Sequence, residues 1–412
     1  MRTVYIFGAG FSYDANIPIQ SEILEKLREH SDAISKSLED VVTIIPIEMV
    51  NQFQMSWNII NNFLNKLFEQ VRNPSLEDVF TLLDQVIQSK SFCFGVTWRE
   101  IEEIKTALYK TIVIHFYICQ RQISSDRRKL YQSIILSMFQ YKLNQGAKDL
   151  SIISLNWDTI FEDIFLSCAE ENRFNHLGIN YCCPAINLES EQTQLEDLKN
   201  DFNKQNNVTV LKLHGSVNWL LCPNCNKLYT GLGLNFDQFA GFVVGRICPW
   251  CKEVFGKTQM IDEWKGPMLE PFLITPTFIK DFSNFHIQMI WNNAYRELCE
   301  AEKVVFIGYS LPEADYHLRT LLKRSIQSRT QIDIVLVRKD KIPKIAPRHI
   351  KEKYTENRYK AFFGSGSNVH FYFTGMKGYF SDILNISIND KVEQIRGMID
   401  KMEDSTTKRR SS

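Results

Sequence analysis

Apolar and polar positions divide the chain into three regimes. It opens on a compact β-prone run, Thr3-Val4-Tyr5-Ile6-Phe7, which breaks at once into Gly8-Ala9-Gly10-Phe11-Ser12. From Ile19 to about residue 149 the apolar residues recur at helical spacing, as in Ile23, Leu24 and Leu27, and again in Ile59, Ile60, Phe63, Leu64, Leu67 and Phe68. Within that stretch Pro74-Ser75-Leu76-Glu77-Asp78 reads as a helix start with an acidic first turn. Strand-like runs then return, and each ends on polar residues or glycine. Ser151–Leu155 leads to Asn156-Trp157-Asp158, Val208–Leu213 to His214-Gly215-Ser216, and Lys303–Ile307 to Gly308-Tyr309-Ser310. Ile332–Val337 leads to Arg338, and Val369–Phe373 to Thr374-Gly375. In an open parallel sheet ligands sit outside the carboxyl ends of the strands, so the pattern predicts an α/β protein whose chemistry collects at those ends.

The Gly-x-Gly turn after the first strand suits a phosphate site, because residues without Cβ let backbone N–H groups approach an anion. It is not a dehydrogenase fingerprint. Tyr13 stands where the third glycine belongs, and Glu22 to Val41 reads as helix where a second strand with a ribose-binding acid is expected. A ligand-free strand-to-helix turn fits the same residues.

Composition narrows the class. With 412 residues, 44% of them hydrophobic, the chain can bury a sizeable core. Its 48 Lys and Arg balance 48 Asp and Glu, which leaves no global field toward nucleic acid or anionic membrane. No apolar run approaches the roughly 20 residues of a membrane span, and no signal pattern precedes the first strand. The expectation is a cytoplasmic protein. Glu189 to Asn207 reads as a polar surface segment, and Lys401 to Ser412, ending Lys408-Arg409-Arg410-Ser411-Ser412, as a frayed tail.

Six cysteines, Cys93, Cys119, Cys168, Cys182, Cys183 and Cys299, are scattered and read as reduced thiols. The other four form paired knuckles, Cys222-Pro223-Asn224-Cys225 and Cys248-Pro249-Trp250-Cys251, at zinc-ribbon spacing. Each knuckle sets two thiolates on one turn. Four thiolates close a tetrahedral shell, so the expected zinc is structural and takes no part in chemistry.

Taken in order, Gly8-Ala9-Gly10-Phe11-Ser12 with Asn16-Ile17-Pro18, Asn156-x-Asp158, His214-Gly215 running into the paired knuckles, and Gly308-x-Ser310 resemble the successive motifs of the sirtuin (silent information regulator) family. The resemblance covers Thr3 to Leu311 apart from the helical insertion. It implies a doubly wound, Rossmann-like parallel sheet with a small zinc-ribbon module, to which the helical spacing adds a long helical insertion. The implied division is a first strand and phosphate loop at 1–18, the insertion at 19–149, the sheet continued at 150–216, the ribbon at 217–258, the sheet completed at 259–385, and a C-terminal helix and tail at 386–412. It also implies NAD as substrate. By position Gly8, Ala9 and Gly10 hold its pyrophosphate with Ser12 beside them, while Gly308 and Ser310 contact the adenosine half. Asn156 holds the nicotinamide ribose or a water, Asp158 the carboxamide, and His214 is the general base.

Other roles fit some of these residues as well. His214 beside a glycine also suits a turn histidine, and Asn156 and Asp158 suit the cap and first turn of a helix from Thr159 to Leu166. His176, His286 and His317 read as satisfied surface or core groups.

The chain departs from the deacylases of the family. Pro18 is followed by Ile19-Gln20-Ser21 instead of Asp-Phe-Arg, Ser154-Leu155 replaces Thr-Gln, and Leu273 to Lys280 replaces the Phe-Gly-Glu segment of the acyl-peptide groove. What remains resembles the sirtuin-like NAD hydrolases of prokaryotic antiphage defence, some of which act with a HerA-type ATPase, an Argonaute or another partner. The expected reaction is NAD plus water to nicotinamide and ADP-ribose. Breaking the glycosidic bond develops positive charge at C1′, so leaving-group binding and a positioned nucleophile are required. The alternatives are an NAD-dependent deacylase and a non-catalytic NAD or ADP-ribose sensor. A homo-oligomer or a partner subunit is expected, with the helical insertion as contact surface, and nucleic acid is reached only through a partner.

Overall fold

The computed structural model describes residues 2–36, 45–71, 74–145, 150–172, 178–188, 208–231, 246–255, 266–275, 282–313, 315–337, 351–364, 366, 368–381, 388 and 390–398. The polar segment from Glu189 to Asn207, His176, Arg338 and the tail from Lys401 lie outside the described residues, as does Leu273 to Lys280 beyond position 275.

The chain builds strands β1 (Thr3–Phe7), β2 (Phe92–Cys93), β3 (Val96–Thr97), β4 (Leu150–Ser154), β5 (Ile179–Asn180), β6 (Ala185–Asn187), β7 (Val208–Lys212), β8 (Gly215–Leu221), β9 (Leu228–Thr230), β10 (Glu270–Leu273), β11 (Lys303–Ile307), β12 (Gln331–Val335) and β13 (Val369–Tyr372). Seven of them form one sheet in the order β13-β12-β11-β1-β4-β7-β5, and every pair in it is parallel. Parallel strands are covered on both faces, which is why β1 reads as a nearly unbroken apolar run. Val4, Ile6 and Phe7 are all buried.

The expected helical insertion is present. Helices Ile23–Lys36, Ile47–Gln70, Leu76–Ser89, Trp98–Arg121 and Ser125–Gln145 separate β1 from β4. The helix start read at Ser75 is a capping box, with Ser75 Oγ accepting from the Asp78 amide at 3.1 Å and Asp78 Oδ2 accepting from the Ser75 amide at 2.8 Å. A second box, Thr97 with Glu100, starts Trp98–Arg121. Apolar faces of these helices share one continuous core with the sheet. The insertion is also tied by polar contacts to the segments that follow β1 and β4. Tyr131 Oη donates to the Phe11 carbonyl, and Gln120 Nε2 donates to Thr159 Oγ1 at 3.2 Å.

Connections set the functional edge. From β1 the chain reaches β4 and β7 on one side, then crosses to β11, β12 and β13 on the other. The direction of winding therefore reverses between β1 and β11, the place where an open α/β sheet leaves a crevice at its carboxyl edge.

A second sheet, β10-β8-β9-β6, carries the cysteine knuckles. It draws β6 and β10 from either side of the 217–258 stretch, and β8 starts directly after His214. Residues 390–398 are helical, and Lys391 there is buried and donates to Ser133 of the insertion. Among the described residues no helix is long and apolar enough to cross a membrane.

Candidate functional site

Register brings the singled-out residues to one level. Phe7 stands opposite both Ile307 and Ser154, and Ser154 opposite Lys212, so β11, β1, β4 and β7 end in one row. The next residues keep the ladder going, with Gly8 N donating to Ile307 O at 3.0 Å, Leu155 N to Phe7 O at 2.9 Å and Leu213 N to Ser154 O at 3.1 Å. One residue further on stand Tyr309, Ala9, Asn156 and His214. Four neighbouring strand ends thus deliver residues that are far apart in the sequence.

Ser12, Asn156 and Asp158 form a buried polar cluster between the β1 and β4 turns. Ser12 Oγ donates to Asp158 Oδ1 at 2.9 Å, and Asn156 Nδ2 donates to Gly8 O at 2.9 Å and to Ser12 Oγ at 3.1 Å. Asp158 Oδ1 also accepts from the Ile160 amide at 3.1 Å, at the start of helix Ile160–Glu171. Asp158 is therefore both a helix-start acceptor and a member of the cluster. Asn156 makes no such cap and instead ties the two turns together.

The glycines serve a close approach of two loops. Gly10 N donates to Gly308 O at 2.9 Å, and a Cβ on Gly10 would lie 2.7 Å from Gly308 Cα. Gly308 itself has φ +68°, and a Cβ there would stand 2.1 Å from Phe11 N. Both chains need glycine because their backbones touch. Ser310 is exposed, and its carbonyl accepts from Arg358 Nε at 2.9 Å.

His214 is half-buried, with Nδ1 3.2 Å from the Leu155 carbonyl. A carbonyl only accepts, so in the neutral ring Nδ1 carries the proton and Nε2 is the basic nitrogen. The residue is held from its other side by Ile274 N donating to His214 O at 2.9 Å. Gly215 follows at φ +73° because β10 passes so close that a Cβ would be 2.2 Å from Phe272 O.

Beneath this edge lies a group of charges that sequence patterns did not single out. Lys212, fully buried, donates to the Asp158 main-chain carbonyl and stands 3.2 Å from Glu162 Oε1, inside ion-pair range but without hydrogen-bond alignment. Burial pushes the Asp158 and Glu162 carboxyls up, and the Lys212 ammonium opposes both shifts. Asp163, which accepts from Thr159 Oγ1 at 2.9 Å, is pushed up by burial to about 8. One signal in the sequence could have revealed Lys212: a lone charge inside the apolar run Val208–Leu213. Trp157, whose Nε1 donates to Ile274 O at 3.3 Å, and Trp291, whose Nε1 donates to Leu213 O at 3.0 Å, also frame the edge.

Cys222, Cys225, Cys248 and Cys251 offer sulfurs that all lie within 4.8 Å of one another. The pairs Cys222–Cys251 and Cys225–Cys248 are each 3.7 Å apart. A tetrahedral metal bonded to sulfur at about 2.3 Å sets neighbouring sulfurs about 3.8 Å apart, so the four could hold a metal without rearrangement. Two of the sulfurs already meet outer donors, with the Cys225 amide 3.5 Å from Cys222 Sγ, the Cys251 amide 3.4 Å from Cys248 Sγ, and Tyr229 Oη 3.2 Å from Cys248 Sγ. His286 Nε2, 2.8 Å from the Asn226 carbonyl, fastens the first knuckle to helix Phe285–Glu300. The other described cysteines make no such group.

No family model matches the sequence, and no curated protein matches it. Similar solved structures include Sir2Tm bound to a propionylated peptide, at 12% identity and a TM-score of 0.35, with 98% of this chain and 93% of that chain covered. A Sir2 homologue–NAD complex is similar at 13% identity and a TM-score of 0.34, covering 96% of this chain and 89% of that one. A structure described for the mechanism and regulation of Sir2 enzymes is similar at 12% identity and a TM-score of 0.36, covering 98% and 93%.

Proposed function

We propose that the chain binds NAD at the carboxyl edge of the sheet and hydrolyses its nicotinamide–ribose bond, giving nicotinamide and ADP-ribose. The observation that carries this reading is the common level of the β11, β1, β4 and β7 ends, where the winding reverses and where Ser12, Asn156, Asp158 and His214 converge. The motif order of the sequence supports the same ligand. Departure of nicotinamide leaves positive charge at C1′, and a buried carboxylate at Asp158 is the group that stabilises it or grips the carboxamide. His214 Nε2 takes a proton from water or a ribose hydroxyl. Asn156 orients the ribose while bracing the two turns. Gly8, Ala9, Gly10, Gly308 and Ser310 line the phosphate and adenosine side.

The four cysteines are a zinc site in this reading. The metal would supply only cohesion, since a closed thiolate shell leaves no open position. The motif departures from the deacylases make water the acceptor. We extend the reading to an antiphage effector that depletes NAD when a homo-oligomer or a HerA-type partner switches it on.

The test is chromatographic detection of nicotinamide from NAD, with and without an acylated peptide and the partner. Release by the wild type, lost in His214→Ala and Asn156→Ala, is expected. Release that survives His214→Ala overturns the base assignment, and O-acyl-ADP-ribose formation selects a deacylase. Binding without turnover selects a sensor.

A further inference from the structure

We propose that Lys212 is a positioning residue for the candidate site, its buried ammonium holding the Asn156–Asp158 turn and serving as the charge partner of the Asp158 side chain.

The geometry is specific. Lys212 is the last residue of β7, two before His214, and its Nζ donates to the carbonyl of Asp158 in the turn that follows the neighbouring strand β4. One side chain therefore links the strand that presents the candidate base to the turn that presents the candidate carboxylate. No solvent competes, since Lys212 and Glu162 are 0% and 3% exposed. A charge in such a place is held by its partners or not at all.

Those partners are few enough to name. Among the described residues, the titratable groups facing Asp158 are Lys212 from β7, Glu162 and Asp163 from helix Ile160–Glu171, and Tyr131 from the insertion. Three carboxyls share one ammonium. Burial pushes Asp163 up to about 8, with Lys212 its smallest influence, whereas at Asp158 and Glu162 the Lys212 ammonium is the main opposition to the upward push of burial. Ser12 Oγ and the Ile160 amide donate to Asp158 as neutral groups, so among the described residues Lys212 is the cation of this group. A nearby opposite charge shifts a carboxyl by about 1–3 pH units. Removing Lys212 therefore reaches the edge without touching any ligand.

As far as catalysis goes, the proposal rests on the NAD-cleaving reading, and the experiment separates the two. Glu162→Gln is compared with the double variant Glu162→Gln, Lys212→Met. In that background the loss of Lys212 leaves a single buried anion and not a repelling pair, which favours folding. Asp158 is followed by carboxyl-carbon NMR of aspartate-labelled protein, assigned with Asp158→Asn, and nicotinamide release is measured against pH on the same samples. The expected result is that Lys212→Met raises the Asp158 titration by about one pH unit or more and moves the acid limb of turnover upward with it. Lys212→Arg in the same background should restore the limb. Coincident Asp158 titrations in the two proteins overturn the proposal whatever the enzyme does. A shifted titration with no NAD turnover in the wild type upholds the role of Lys212 at Asp158 and rejects the NAD reading instead. A shifted titration with an unmoved acid limb overturns the link to catalysis.

Discussion

Ser12 Oγ and Asp158 Oδ1 lie 2.9 Å apart across 146 residues of sequence, closing a buried hydrogen bond between the turn after β1 and the turn after β4. This bond converts two loops into one rigid wall. Ser12→Ala removes a donor from a buried carboxylate, which costs about 1–3 kcal/mol. Thermal unfolding should report that loss. Nicotinamide release should fall as well, and unchanged turnover in a destabilised variant would separate the wall from the chemistry.

His214 and Asn156 make different contributions to the proposed reaction. His214→Ala should lower kcat by about 10²-fold or more, the usual worth of a positioned base, with little change in melting temperature. Asn156→Ala deletes two bonds that join Gly8 and Ser12 to the β4 turn and should lower both activity and stability. Equal stability losses in the two variants would argue against this division of roles.

The loop interlock at the winding reversal allows a sharp test. Gly308→Ala places a Cβ against Phe11 N from a left-handed backbone, so the strand ends must part. Destabilisation above about 1 kcal/mol is expected in chemical denaturation. Gly364→Ala is the control, because it shares a positive φ but meets nothing within 4 Å. Equal costs at the two positions would mean that strain alone, and not contact between the loops, explains the glycine.

Asp163 should leave a signature in the pH dependence of stability. Its carboxyl is held up to about 8 in the folded chain, above its ordinary value of 3.8. Between those values the folded state binds a proton that the unfolded state lacks, so stability falls as pH rises through the window and levels off above about 8. Asp163→Asn mimics the protonated form and should remove that slope. Denaturation midpoints at several pH values check it, and parallel profiles for the two proteins would contradict the assignment.

The cysteine site predicts one zinc per chain by elemental analysis. Chelation, or Cys222→Ser, should lower the melting temperature by loosening the small sheet and the start of β8 behind His214. Metal-free protein with the same melting curve would remove zinc from the account.

Much of this was legible in the sequence because it is local. The runs read as ending at Phe7, Leu155, Leu213, Ile307, Val337 and Phe373 are short and bounded by turn chemistry, and the strands end within two residues of those positions; the Ser75 cap and the paired knuckles are likewise patterns over a few residues. Local periodicity and ligand spacing need no knowledge of what lies across the sheet. The strands β5 and β6 were missed because two or three residues carry no period.

Tertiary structure alone decided the rest. That β11 lies beside β1, with Thr3 opposite Lys303 and Phe7 opposite Ile307, follows from how the whole core closes, not from either strand. The same closure makes Gly8 and Gly10 meet Gly308, brings β10 against Gly215, and sets Lys212 beneath Asp158. Sequence determines which segments become strands and which residues they carry. Neighbour order and buried charge pairing depend on packing between distant segments, where desolvation makes each partner's value a property of the other.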